Sequence, residues 1–159
     1  MAILNIVKEG EQTLRKVCRP VEEITPRIIR LLDDMRETLH EANGVGLAAP
    51  QVGILRRIAI IDTDGEVIEL INPEIIFTEG EQRGLEGCLS VPDVWGIVER
   101  PMKVTVKATD RNGKEFTVTG EELKARAFCH EIDHLDGHLF TDYAEHILTP
   151  EEMKEQFGE

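Results

Sequence analysis

The run Ala125-Arg126-Ala127-Phe128-Cys129-His130-Glu131-Ile132-Asp133-His134-Leu135-Asp136-Gly137 decides how the rest of the chain is read. On an α-helix, residues four apart stand above one another on one face, so His130 and His134 can hold one metal ion between them. Glu131 lies about 100° round the helix from His130, close enough to handle a water on that metal without itself being a ligand. Ala125, Phe128, Ile132 and Leu135 fall at helical spacing on nearly the opposite side, an apolar stripe that directs the helix into a core. The histidines then sit either in a cleft or in solvent, and a cleft with a metal is the reading that carries chemistry. An isolated HExxH also arises by chance on a solvated face, so the pattern needs support from elsewhere in the chain. Thr119-Gly120-Glu121-Glu122 fits a capping box with Thr119 as N-cap, and Gly137 is a natural terminator, which predicts a helix over residues 120–136.

A catalytic metal site takes three protein ligands and leaves one position open. A histidine ten residues after the first would complete a metzincin pattern, but Phe140 stands there, and His138 is too early and past the helix end. Glu145, Glu151 and Glu152 are nominal partners for a thermolysin-like site, yet no long second domain follows them to build a cleft. Cys88 is the strongest third ligand. In Leu85-Glu86-Gly87-Cys88-Leu89-Ser90-Val91-Pro92, Gly87 would permit a sharp turn that presents the thiolate, and Leu89 would show its backbone N–H beside the metal. Cys18 and Cys129 read as small core residues, and three cysteines at unrelated spacings do not form a disulfide framework. Gly44-Val45-Gly46-Leu47-Ala48-Ala49-Pro50-Gln51 lacks the Lys-Ser/Thr or third glycine of a phosphate loop. Its glycines allow close approach of a ligand, and Gln51 is either a solvent-facing turn residue or an oriented amide in a cleft.

The remaining chain places these pieces in an α+β domain. Thr25-Pro26 followed by Ile28, Ile29, Leu31, Leu32, Met35 and Leu39 predicts an N-terminal scaffold helix ending near Ala42-Asn43-Gly44. Residues 1–24 read as an arm packed across the domain. Extended runs are expected over 57–62, over 67–77 with an interruption at Asn72-Pro73, over 102–109, and over 116–119, the last two joined as a hairpin through Asp110-Arg111-Asn112-Gly113. Thr149-Pro150-Glu151-Glu152 caps a short C-terminal helix. The architecture is antiparallel strands wrapped around a central HExxH-bearing helix, over residues 1–159 as a single domain.

Composition bounds the function. The formal net charge is −13, and no lysine/arginine cluster is available to grip a phosphate backbone, so nucleic acid is not an expected partner. No apolar run approaches the roughly 18 residues of a membrane span, and the N-terminus has no signal-peptide pattern, so a cytoplasmic protein with no membrane partner is expected.

In order and approximate spacing, Gly44-Val45-Gly46-Leu47-Ala48-Ala49-Pro50-Gln51, Glu86-Gly87-Cys88-Leu89-Ser90 and His130-Glu131-Ile132-Asp133-His134 resemble the three motifs of bacterial peptide deformylases. The resemblance covers the chain from about residue 3 to the final helix. It implies a deformylase-like catalytic domain that removes the N-formyl group from the initiator methionine of new peptides and releases formate. Carried over by position, Cys88, His130 and His134 would ligate one divalent metal ion, Fe²⁺ in most of the family, with Zn²⁺ or Ni²⁺ as alternatives. Glu131 would be the acid/base, with Gln51 and the Leu89 N–H as the oxyanion site. Glu86 and Asp133 are the nearest carboxylates to orient the imidazoles, and Arg100 could pair with one of them. Val45, Gly46, Ala127 and Phe128 are expected to bind the substrate, with Gly44–Gly46 adding the extended peptide as a strand. Trp95 departs from the arginine that many relatives carry and is expected at the cleft mouth. The partners implied are N-formylmethionyl peptides, with transient proximity to the ribosome. Residues 150–159 hold four acids against Lys154, so the tail offers no basic route to ribosomal RNA.

Overall fold

Thr25 and Pro26 start the first helix as their order dictates. Thr25 Oγ1 accepts the Ile28 N–H at 3.4 Å, and proline takes the first helical position, where no amide is needed. The computed structural model describes residues 2–158. In it, helix α1 runs over Pro26–Ala42 and stops at Asn43, which adopts a left-handed φ of 54°. Two further helices follow, α2 over Leu123–Leu135 and α3 over Pro150–Phe157. The strands are β1 (Gly46–Ala48), β2 (Ile58–Ile61), β3 (Ile68–Glu79), β4 (Gln82–Cys88), β5 (Val91–Arg100), β6 (Lys103–Thr109), β7 (Glu115–Glu121) and β8 (His146–Ile147). They pair antiparallel in two sheets, one in the order β1-β2-β3-β6-β7 and the other β4-β5-β8.

The five-stranded sheet has a helix on each face, and β2 shows why. Its run Ile58-Ala59-Ile60-Ile61 is apolar without alternation, as a strand buried on both faces requires. Ile58 and Ile60 pack with Leu32, Met35 and Leu39 of α1, whereas Ile61 packs with Phe128 and Ile132 of α2. Ala59 meets Leu135 and Cys18. The three-stranded sheet contributes Val91 and Val98 to a separate cluster with Leu14, Leu139 and Phe140. Helix α2 is buried along nearly its whole length, including His130, Glu131 and His134. The α+β architecture around a central HExxH helix is the one expected.

Local expectations fail at three places. Thr119, Gly120 and Glu121 remain in β7, paired with Thr105, Val104 and Lys103 of β6. Glu122 forms the corner at φ 55° and α2 begins at Leu123, so the ladder of a seven-residue hairpin overrides the local capping signal. Asn72-Pro73 does not interrupt β3. The strand continues through it with a shift in register, and the Asn72 side chain exchanges two hydrogen bonds with the Val21 backbone, 2.8 Å each. Gly87 makes no sharp turn either; it lies inside β4 at another register shift, and the reversal comes between Cys88 and Val91.

The arm over residues 2–24 is more than packing. The Val7 N–H donates to Gln51 O and the Glu9 N–H to Ser90 O, both at 2.7 Å, so the arm ties the Gln51 segment to the turn between β4 and β5.

Candidate active site

The last two turns of α2 present His130 and His134 on one face, and β4 delivers Cys88 to meet them. One ligand atom from each of the three residues lies within 4.8 Å of the others, and among the described residues this is the one such cluster of three. The Cys88 Sγ is 3.3 Å from His134 Nε2. A thiolate with two imidazoles is a donor set suited to a borderline divalent ion. Electrostatics fit as well. Burial and the neighbouring His130 hold His134 well below its ordinary value, which leaves the neutral imidazole that binds metals. Burial opposes charge on His130, yet Glu131, Cys88 and Glu86 outweigh it and hold its value well up, so the cluster attracts positive charge. Glu145 and Glu152 are engaged elsewhere, with Arg83 and with His146.

Glu86 is the hub behind the ligands. His130 Nδ1 donates to its Oε2 at 2.6 Å, which fixes the ring and leaves Nε2 for a metal. Arg100 binds both Glu86 oxygens, at 3.1 and 2.6 Å, and reaches Asp133 Oδ2 at 2.6 Å. Arg126 donates to Glu86 Oε1 at 2.8 Å and to Val98 O at 3.1 Å. Burial alone would raise the Glu86 carboxyl, but the hydrogen bonds from His130 and Arg100 hold it well below the usual carboxylate range. Arg126 was not among the expected residues. Its place in the HExxH helix gave no signal, because the partner carboxylate lies forty positions earlier.

Glu131 is 3% exposed, and its Oε1 is buried with no hydrogen-bond partner among the described residues. Removal from water pushes its carboxyl up to about 7. Gln51 is equally buried and points inward. The Ala48 N–H donates to its Oε1 at 2.9 Å, which fixes the amide orientation, and its Nε2 donates to Ser90 Oγ at 3.1 Å and reaches Cys88 Sγ at 3.5 Å. The alternatives for Gln51 in the sequence thus resolve toward an oriented amide in a cleft. Ser90, fully buried, is the second residue that the sequence reading passed over, although it closes the same motif as Cys88.

These groups stand at a cleft of about 500 Å³ lined by Val45, Gly46, Leu89, Trp95 and Ala127, among others. Phe128, expected on the substrate side, is fully buried on the opposite side of the helix with Ile61 and Val104, and does not line the cleft. The reason is helical phase: one residue past Ala127 turns the side chain about 100° toward the five-stranded sheet. Cys18 and Cys129 are buried, with thiols pushed up to about 11, and remain small core residues. No helix among the described residues is long and apolar enough to cross a membrane.

Fold and site together define a small α+β metalloenzyme in which a thiolate from a sheet completes an HExxH helix. Residues 3–149 match the family model described as polypeptide deformylase. The peptide deformylase of Thermoanaerobacter pseudethanolicus is 55% identical over 159 residues, covering 100% of this chain and 99% of that protein. That of Acetivibrio thermocellus is 54% identical over 154 residues, 97% and 91% of the two chains. Among solved structures, the Legionella pneumophila peptide deformylase superposes with a TM-score of 0.87 at 45% identity, covering 97% of this chain and 92% of that one. The Thermotoga maritima enzyme gives 0.88 at 35% identity, covering 90% and 98%. The chain belongs to the polypeptide deformylase family.

Proposed function

We propose that this protein hydrolyses the formyl amide at the N-terminus of formylmethionyl peptides in the cytoplasm, releasing formate. The observation that carries the reading is Glu131: a buried carboxylate with one unpartnered oxygen, beside three metal-ligating atoms, at the wall of a cleft large enough for a peptide. Cys88, His130 and His134 would hold a divalent cation, which would supply the Lewis acidity that activates water near neutral pH. Fe²⁺ is the metal assigned by family resemblance, since the affinity order alone would favour Zn²⁺.

The chain's own groups account for the proton movements. Glu131 takes the proton released as the new C–O bond forms and hands it to the departing amine nitrogen as the C–N bond breaks. Gln51 Nε2, already oriented by Ala48, and the Leu89 N–H donate to the developing oxyanion, where one such donor is worth about 3 kcal/mol of barrier. Val45, Gly46 and Ala127 bind the substrate, and the β1 edge accepts the extended peptide as an added strand. Ala127 leaves volume for the methionine side chain, while the formyl group, with only hydrogen beyond its carbonyl, fits where bulkier acyl groups do not.

Protein purified without oxygen should release formate from formyl-Met-Ala-Ser. Glu131→Gln should retain its metal and lose at least about 100-fold in kcat. Equal formate release by the variant, or none from the wild type with a full complement of metal, would overturn the assignment.

A further inference from the structure

Trp95 is the only tryptophan in the chain, and its ring is held from two directions. On one side lies Gly87, the residue before the ligand Cys88. A methyl group on Gly87 would come within 2.8 Å of the ring's Cζ3 and 2.9 Å of Cε3, so the indole lies directly on that backbone. On the other side is Phe157, in the last turn of α3, with ring centroids 5.3 Å apart and planes tilted by 49°. The main chain reinforces the stack. Trp95 O accepts the Leu148 N–H at 2.9 Å, and the adjoining Gly96 pairs with Ile147 of β8. Helix α3 contains no buried side chain, so the Phe157 contact with Trp95 is a main hold on its C-terminal end.

Trp95 also lines the cleft, on the same stretch of wall as Pro92 and Asp93. Asp93 is exposed and adopts φ 62°, and no hydrogen bond or ion pair engages its carboxylate among the described residues. A flat apolar surface beside a free negative charge is a selective wall. It gains from burying a large apolar side chain and repels a carboxylate.

We propose that Phe157 is a positioning residue that seats Trp95 as a wall of the cleft, and that this wall selects large apolar or aromatic side chains over acidic ones among the residues following formylmethionine. The inference rests on the proposed deformylase reading for the identity of the substrate. The C-terminal helix then acts on specificity from outside the cleft. Phe157 itself does not line the cleft.

The single tryptophan makes the test independent of turnover. Titrating the metal-loaded protein with Met-Ala-Phe, Met-Phe-Ala and their glutamate counterparts, Met-Ala-Glu and Met-Glu-Ala, should shift Trp95 emission, with the phenylalanine peptide binding about tenfold tighter at one of the two positions. Phe157→Ala should red-shift the emission of the free protein, raise KM for the phenylalanine-containing formyl-peptide several-fold with kcat held, and be rescued by Phe157→Leu. Trp95→Ala, which leaves no tryptophan and is therefore read through KM, should abolish the discrimination between the phenylalanine and glutamate formyl-peptides. Equal binding of the phenylalanine and glutamate peptides, or a Phe157→Ala protein with unchanged emission and KM, would overturn the proposal. Loss of formate release from every peptide, with the selective emission changes intact, would overturn the deformylase reading and leave the selective wall standing.

Discussion

Gly46 has no room for a methyl group. A Cβ built there would stand 2.5 Å from Glu131 Oε2 and 2.9 Å from its Cδ, so the absence of a side chain on β1 is what lets the carboxylate lie against the strand. Gly46→Ala must push Glu131 by about an ångström, and a displacement of that size costs about 100-fold in rate when it misplaces a reacting group. The expected result is a fall of that order in kcat with the metal content of the wild type; a variant with full kcat would show that Glu131 has slack. Individual residues were legible in the sequence where chemistry constrains type and spacing together. His130, Glu131 and His134 declare themselves through helical phase, and Cys88 by elimination of the other ligands. Gln51 stood undecided because its orientation depends on the Ala48 N–H and Ser90 Oγ, neither of which a one-dimensional pattern reports. Phe128 was placed one residue round the helix from where the cleft wall runs.

At the scale of elements, β4, β5 and α2 are clamped by one buried ionic network. Glu86 comes from β4, Arg100 from β5, and Asp133, Arg126 and His130 from α2. Glu86 and Arg100 are 4% and 7% exposed. A buried pair of this kind contributes little net stability over an apolar replacement, but removing one partner strands the other's charge. Arg100→Ala should therefore cost about 3–5 kcal/mol in urea unfolding of the metal-loaded protein, well beyond a surface arginine such as Arg83. A loss below about 1 kcal/mol would mean that Arg126 alone suffices for Glu86. Elements whose signals are local were read correctly: α1 with Thr25 and Pro26, the β6–β7 hairpin, and α3 with Thr149, whose Oγ1 accepts the Glu152 N–H at 3.2 Å. The β4–β5 hairpin was seen only as a motif. Its glycines at 84, 87 and 96 and Pro92 dilute the alternation, and its pairing is set by tertiary contacts with Leu14 and Phe140. The same cause moved the start of α2, where pairing with β6 prevailed over a capping box.

Across the whole molecule, the α1 face of the five-stranded sheet is locked far from the cleft by a second charge cluster. Glu69 of β3, 8% exposed, accepts hydrogen bonds from Arg36 of α1 at 2.7 Å and from Arg111 at 2.8 and 2.7 Å, and Arg111 also binds Asp33 of α1 at 2.8 Å. Arg111 sits in the β6–β7 turn, so one carboxylate joins the helix, the middle of the sheet and its outer hairpin. Burial alone would raise the Glu69 carboxyl, but hydrogen bonds from Arg111 and Arg36 outweigh it and hold the value below the ordinary 4.5. A carboxylate depressed in the folded state adds stability that is fully present above its unfolded value, and that stability is lost as pH falls through the lower folded value. Glu69→Gln keeps the shape and removes the charge. Near pH 7 the variant should be less stable by about 1–2 kcal/mol, a figure reduced by the partial exposure of Arg36 and Arg111. As pH falls past the unfolded value and on through the lower folded one the gap should narrow steadily, because the wild-type carboxyl then becomes as neutral as the amide. Urea unfolding of both proteins from pH 7 to pH 3 reads this directly. A gap that stays constant over that range would assign the loss to altered packing around residue 69 and remove the ionic lock from the account of how α1 is held.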